Sequence, residues 1–266
     1  MNELMSAIVI IPARYSSTRF PGKPLAPLQG RPVIEHVYRN SIHSRRASEV
    51  IVATDSETIF ETVLAFGGKA VMTSADHVSG TDRIAEAAMR MDYDIIVNVQ
   101  GDEPLIRAEM IDDVISVLDD KGASIGTLAK KISARREIFD ANTVKVVCDE
   151  KGYALYFSRA PIPYHRDLFG ADMRIQGNAG TAFDTLSPSS VPQMFKHIGI
   201  YSYRREALIQ MTRFEATKLE MIEKLEQLRA LEHGLTIKVR ETFFETFGVD
   251  TPEDLERIEK CLNSSS

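Results

Sequence analysis

A chain of 266 residues with 44% hydrophobic content can bury a full core, as one large α/β domain or two small ones. Its formal net charge of -6 argues against a nucleic-acid scaffold, so an anionic ligand has to be held by a local basic cluster. Cys148 and Cys261 lie far apart without Cys-x-x-Cys spacing, which indicates neither a disulfide framework nor a zinc site and fits a reduced, cytoplasmic compartment.

The apolar run from Ala7 to Ile11 is too short for a membrane span and lacks the charged start and cleavage site of a signal peptide; it reads as a first strand. Further β-branched runs at Val50–Ala53, Lys69–Met72, Ile95–Val99 and Ile125–Ala129 alternate with segments of helical spacing. Such alternation predicts an α/β fold with a Rossmann-like, mainly parallel central sheet flanked by helices. In one of those helices, Pro32 to Asn40, the apolar positions Val33, Ile34, Val37 and Tyr38 form the face laid on the sheet.

The middle of the chain changes character. Val144–Cys148 and Tyr153–Ser158 flank Asp149-Glu150-Lys151-Gly152, which predicts an antiparallel hairpin opening a smaller inserted subdomain over residues 143–204. From His165 to Pro192, Gly, Ser, Asp and Pro accumulate without periodicity, as in an exposed loop excursion. A strand at Ile198–Tyr203 follows. Then Leu219, Ile222, Leu225, Leu228 and Leu231 recur at three-residue steps until Gly234, which reads as one helix. After a strand at Ile237–Val239, the last helix begins at Thr251-Pro252-Glu253-Asp254: Thr251 caps, Pro252 suits the first helical position and the acids oppose the helix dipole.

Several stretches carry candidate chemistry. The segment Pro12 to Pro24 sets Arg14, Arg19 and Lys23 in one loop at the carboxyl end of the first strand, the edge where open α/β sheets bind ligands. Guanidinium groups contact phosphate oxygens in pairs and lysine adds a mobile charge, so the loop suits a triphosphate; an ordinary solvated basic loop is the alternative. There is no G-x-G-x-x-G after a strand, and Gly22-Lys23 is followed by Pro24, which excludes the dinucleotide fingerprint and the Walker loop. Asp102, in Val97 to Pro104, stands at a strand end where a magnesium ion beside a triphosphate takes a carboxylate; capping of the next helix competes with this reading. Asp250 offers a second carboxylate, although local capping explains it when taken alone.

Asp76 to Arg83 combines hydroxyls, Arg83 and a helix start, which suits a carboxylate-bearing ligand or a routine capping loop. Glu226 and Gln227 fall off the leucine stripe, where solvated helix surface is the default. His197 and Tyr201 are able to bind hydroxyls, against the ordinary structural role of such residues at a sheet edge.

In order along nearly the whole chain, PARYSSTRFPGKPL, VATD, NVQGDEP, VKVV, GYALYFSRAPIP, HIGIY, LEQLR and GVDTPEDLE resemble the pattern of the CMP-Kdo synthetases, the 3-deoxy-manno-octulosonate (Kdo) cytidylyltransferases. The resemblance implies an enzyme that transfers CMP from CTP to Kdo, releasing pyrophosphate, with Mg²⁺ on Asp102 and Asp250. It implies that Arg14, Arg19 and Lys23 hold the phosphates and that Gln100 lies near cytosine or sugar. Arg83, Arg159, His197, Tyr201, Glu226 and Gln227 then serve the sugar side, and the hairpin subdomain contributes to a homodimer interface. A cytidylyltransferase for sialic acid or amino-substituted Kdo, and a non-catalytic nucleotide-binding regulator, are the rivals. The chain departs from the pattern in HVSGTDR, where HQSGTER is expected, and in a longer Leu168–Pro192 excursion.

Overall fold

The computed structural model describes residues 5–16, 20–166 and 193–264. Strand β1 (Ala7–Ala13) sits at the centre of the sheet, buried on both faces. Its residues alternate between two cores, with Val9 and Ile11 in one and Ile8 and Ile10 in the other. A short hairpin, β2 (Pro27–Leu28) and β3 (Arg31–Pro32), leads to α1 (Val33–Ser41). Next come β4 (Glu49–Thr54), α2 (Glu57–Ala65), β5 (Ala70–Met72), α3 (Gly80–Met89), β6 (Ile95–Asn98), α4 (Ala108–Val117) and β7 (Ile125–Lys131). Beyond α5 (Arg135–Phe139), strands β8 (Lys145–Cys148) and β9 (Ala154–Ser158) form the expected antiparallel hairpin. Strand β10 (Phe195–Arg204), α6 (Arg205–Met211), α7 (Lys218–Glu223), α8 (Gln227–Glu232), β11 (Ile237–Glu241) and α9 (Pro252–Ser264) complete the described chain.

The main sheet runs β11-β7-β10-β6-β1-β4-β5. The pairs β1–β4, β1–β6, β4–β5 and β7–β11 are parallel, while β10 runs antiparallel to β6, β7 and β8. Helices α1, α2 and α4 pack on one face through Ile34, Ile59 and Val114; α3, α6 and α8 cover the other through Ile84, Leu208 and Leu228. This is the mainly parallel, doubly covered sheet that the alternating pattern requires. The excursion expected at residues 168–192 lies outside the described residues. Among the described residues no helix is long and apolar enough to cross a membrane.

The single leucine-stepped helix does not form. Lys224 adopts a left-handed conformation with φ 55 and divides the segment into α7 and α8. In a continuous helix each three-residue step falls back by about 60°, so five such positions spread over roughly 240° and cannot share one buried face. The break resolves this: Leu225 and Leu228 are buried, whereas Leu219 and Ile222 stay on the surface. Gly234 does end α8's path, with φ +80.

A third, smaller core fixes the chain's far end. Val249 and Ile258, fully buried, pack with Ala26, Leu28 and Val33. Each such side chain contributes about 1.5–3 kcal/mol by burial, so the loop before α9 is held against the loop after β1.

Candidate active site

The loop that leaves β1 is shaped by Gly22, whose φ of +71 lets its N–H reach the carbonyl of Tyr15 at 2.8 Å. That turn directs Lys23 toward two carboxylates. Its Nζ pairs with Asp102 and lies 3.3 Å from Asp250 Oδ1. Asp102 comes so near because Gly101 precedes it: a Cβ there would stand 2.7 Å from the carbonyl oxygen of Pro12. The N–H of Val249 donates to the Asp102 carbonyl at 2.8 Å, which brings Asp250 to the same edge.

Capping does not account for either acid. Helix α4 has Arg107, not Asp102, at its N-cap. At α9, Thr251 Oγ1 accepts from the Asp254 N–H at 3.3 Å, and Asp254 Oδ2 accepts from the N–H groups of Asp250 and Thr251 at 3.1 Å each. Thr251 and Asp254 therefore cap the helix while the Asp250 carboxylate faces Lys23. Beside Asp102, the Glu103 carboxyl is pushed up to about 8, first by burial and then by the Asp102 charge.

Lys23, Asp102 and Asp250 line a cleft of about 760 Å³, together with Arg14, Gln100 and Arg83. Arg19 lies outside the described residues. Arg83 is 3% exposed, and its guanidinium donates to Thr73 Oγ1 at 2.6 Å and to Asp55 Oδ2 at 2.8 Å. A buried cation so paired is rigid. It faces this cleft and not the smaller cavity described next. The α3 N-terminus closes one side, with Ser79 Oγ accepting from the Asp82 N–H at 3.1 Å. Neither departure in HVSGTDR reaches the lining: Val78 is 86% exposed, and the Asp82 carboxylate accepts from Ser79 Oγ at 3.0 Å.

Gln100 and Gly80 also line a second cavity of about 100 Å³, with Thr81, Asn98, Tyr201, Tyr203, Glu226 and Gln227. Thr81 Oγ1 donates to Glu226 Oε2 at 2.8 Å, while Glu226 Oε1 and Gln227 Nε2 are buried without a hydrogen-bond partner among the described residues. Burial raises the Glu226 pKa, against the hydrogen bond from Thr81 and the charge of Arg229. Buried polar atoms are almost always paired, so two orphans facing one small cavity mark a place where a ligand supplies the partners. Solvated helix surface, the default for these residues, is overturned by the break at Lys224, which turns Glu226 and Gln227 inward.

Tyr201 reaches this cavity through an irregularity in β10. Ile198 pairs with Leu128 but Tyr201 pairs with Thr127, so two extra residues bulge out between them. Thr127 Oγ1 seals the bulge by donating to the Ile200 carbonyl at 2.8 Å. His197 Nε2 lies 2.9 Å from that hydroxyl, its ring is edge-on to Phe157, and burial pushes its pKa down to about 3. His197 lines neither cavity. The same is true of Arg159, whose guanidinium donates to the carbonyls of Glu223 at 2.7 Å and Ala141 at 2.9 Å. The fold thus brings together Arg14, Lys23, Gln100, Arg83, Asp102 and Asp250 in one cleft and Tyr201, Glu226 and Gln227 in the other, joined at Gln100.

A family profile described as cytidylyltransferase matches residues 8–243. The chain belongs to the cytidylyltransferase family. This cytidylyltransferase is 51% identical to the 3-deoxy-manno-octulosonate cytidylyltransferase of Thermodesulfovibrio yellowstonii, over 98% of this chain and 100% of the relative. It is 52% identical to the enzyme of the same name from Geotalea daltonii, over 96% and 97% of the two chains. Among solved structures, a CMP:2-keto-3-deoxy-manno-octonic acid synthetase complexed with CTP superposes with a TM-score of 0.85 at 40% identity, covering 98% of this chain and 100% of the other. A Leptospira borgpetersenii cytidylyltransferase, 18% identical with a TM-score of 0.59, shares the fold.

Sequence reading of this cytidylyltransferase missed Asp55, Thr81, Asn98 and Tyr203. A usable signal existed for two of them: Asn98 stands two residues before Gln100, and Tyr203 two after Tyr201, so strand alternation puts each pair on one face. Thr81 falls among the hydroxyls between Asp76 and Arg83 without being singled out, and Asp55 carries no such signal, because it acts on an element far from its own.

Proposed function

We propose that this chain transfers CMP from CTP to 3-deoxy-manno-octulosonate, releasing pyrophosphate and activating the sugar acid for lipopolysaccharide synthesis. One observation carries the reading: a cleft with a cation between two carboxylates opens, at Gln100 and Gly80, onto a small cavity with unpaired polar groups. A triphosphate and a polyhydroxylated acid have the matching chemistry. The relatives at about half identity are 3-deoxy-manno-octulosonate cytidylyltransferases, which supports the same pair of substrates.

Arg14, Arg19 and Lys23 hold the phosphates, and their charge offsets that of the departing pyrophosphate. The donor set at the cleft fits Mg²⁺. Among the described residues no group of three or more His, Cys, Asp or Glu side chains gathers for a metal, and magnesium takes one or two carboxylates with phosphate oxygens and water. Asp102 and Asp250 would hold it, and when bound it neutralises phosphate charge and orients the triphosphate. Tyr201, Glu226 and Gln227 bind sugar hydroxyls, which presents the anomeric oxygen to the α-phosphorus opposite the pyrophosphate leaving group. His197 and Arg159 support that cavity from behind: His197 through Thr127 and the bulge that carries Tyr201, Arg159 through the carbonyls at the end of α7.

The chain works as a homodimer in the cytoplasm. The β8–β9 hairpin, which leaves Leu155 63% exposed, supports a hairpin-centred interface, and the free Cys148 thiol suits a reducing compartment. Light scattering at micromolar protein concentration checks the first point, with a monomer as the contrary result.

Pyrophosphate release, measured with each nucleoside triphosphate against a panel of 2-keto sugar acids, tests the function. CTP with 3-deoxy-manno-octulosonate is expected to dominate, because a site built to hydrogen-bond one base leaves polar groups unpaired against another. Equal turnover with ATP, or preference for sialic acid, would reject this assignment.

A further inference from the structure

Asn98, at the end of β6, is 3% exposed and lines the small cavity. Its Oδ1 accepts from Gln100 Nε2 at 3.2 Å. On the same cavity, which Tyr203 also lines, Thr81 Oγ1 donates to Glu226 Oε2 at 2.8 Å. Two hydrogen-bonded pairs thus line one cavity: Gln100 with Asn98, and Thr81 with Glu226.

An amide oxygen only accepts, so the contact runs from Gln100 Nε2 to Asn98 Oδ1. With one Nε2 proton turned to Asn98, the Gln100 amide keeps its carbonyl oxygen, an acceptor, and one further N–H for a ligand at the junction of the two cavities.

We propose that Asn98 is a positioning residue for the transfer: it holds the Gln100 amide in the orientation that presents an acceptor, and so selects a hydroxyl donor of the sugar acid at the junction. The inference rests on the small cavity being the sugar site. Asn98 and Gln100 then act as one unit, and their substitutions are not additive.

The test is a double-mutant cycle of Asn98→Ala and Gln100→Ala, read as the KM for 3-deoxy-manno-octulosonate, with the CTP dissociation constant measured separately by calorimetry. Each single variant is expected to raise the sugar KM by about tenfold, the loss of one good hydrogen bond, and the double variant by no more than the larger single effect. CTP affinity is expected to stay within about twofold, since the orientation of Gln100 acts on the sugar. Multiplicative losses in the double variant, or no change in sugar KM on Asn98→Ala while Gln100→Ala does change it, overturn the positioning role. A shift in CTP affinity with sugar KM unchanged in both singles instead overturns the placement of the sugar. If Asn98→Ala fails to fold, Asn98→Ser takes its place in the cycle: its shorter side chain withdraws the oxygen that accepts from Gln100, and the same non-additivity with Gln100→Ala is required.

Discussion

Lys23 stands 3.3 Å from the carboxylate of Asp250, a residue 227 positions further along the chain, while it also pairs with Asp102. The ammonium therefore lies between the two acids proposed to hold magnesium. Replacing it by a neutral side chain removes a competing cation from that pair and removes a phosphate partner from the cleft. Lys23→Met is expected to tighten binding of Mn²⁺ in the absence of nucleotide by about three- to tenfold, measured by calorimetry, while turnover falls. Unchanged or weaker metal binding would contradict this relationship.

Asp102→Asn keeps the shape of the side chain and halves the negative charge of the pair. Turnover is expected to fall on the order of a thousandfold, since charge stabilisation by a metal is worth several kcal/mol. The thermal midpoint should move little, because Asp102 lies at a cleft edge and its backbone carbonyl keeps the contact with Val249. A folded variant with near-normal turnover would remove Asp102 from the site.

Gln227 is 8% exposed, and its Nε2 has no hydrogen-bond partner among the described residues, an arrangement that costs stability. Gln227→Leu deletes the unpaired donor at nearly constant volume. The variant is expected to be as stable as the parent or more so, by up to about 1 kcal/mol in urea unfolding, while the KM for the sugar acid rises about tenfold. Loss of stability with unaltered KM would show that the amide serves the fold alone.

Arg159 tethers the end of β9 to α7, and the fully buried Lys145 below it holds the Arg159 carbonyl at 2.7 Å. Lysine cannot reproduce the fork that reaches the carbonyls of both Glu223 and Ala141. Arg159→Lys is expected to lower the thermal midpoint by about 2–4 °C and to leave the sugar KM nearly constant. A selective rise in KM at unchanged stability would return Arg159 to the sugar site.

His197 gives the protein an acid-sensitive group, because burial pushes its pKa down to about 3 from an ordinary value of 6.5. The unfolded chain binds a proton there below pH 6.5, whereas the folded chain resists until about pH 3. The stability present above pH 6.5 is therefore lost progressively as pH falls toward 3. Urea unfolding at pH 7.5 and pH 5, run on the parent and on His197→Gln, should show a smaller loss at pH 5 in the variant. Equal losses in both would mean that the ring is not held neutral.

The strands, the hairpin and the cap of α9 were legible because each rests on local rules. Alternating β-branched runs between helical segments, turn residues between two such runs, and threonine before proline act within a few residues of themselves. The leucine-stepped segment misled because spacing records which residues are apolar, not where the backbone turns left-handed. Only packing showed that Lys224 breaks the run and carries Glu226 and Gln227 inward.

The sequence by itself determined the mainly parallel sheet covered on both faces, and placed the basic loop at the end of β1 and Asp102 at the end of another strand, since residue type, period and strand-end position suffice for these. The tertiary structure alone decided which cation meets which acid, that Arg83 is spent on Asp55 and Thr73, and that Gln100 donates to Asn98. Side-chain hydrogen bonds between distant elements depend on register and on the third core that docks α9. These are long-range distances, and no local pattern in the chain encodes them.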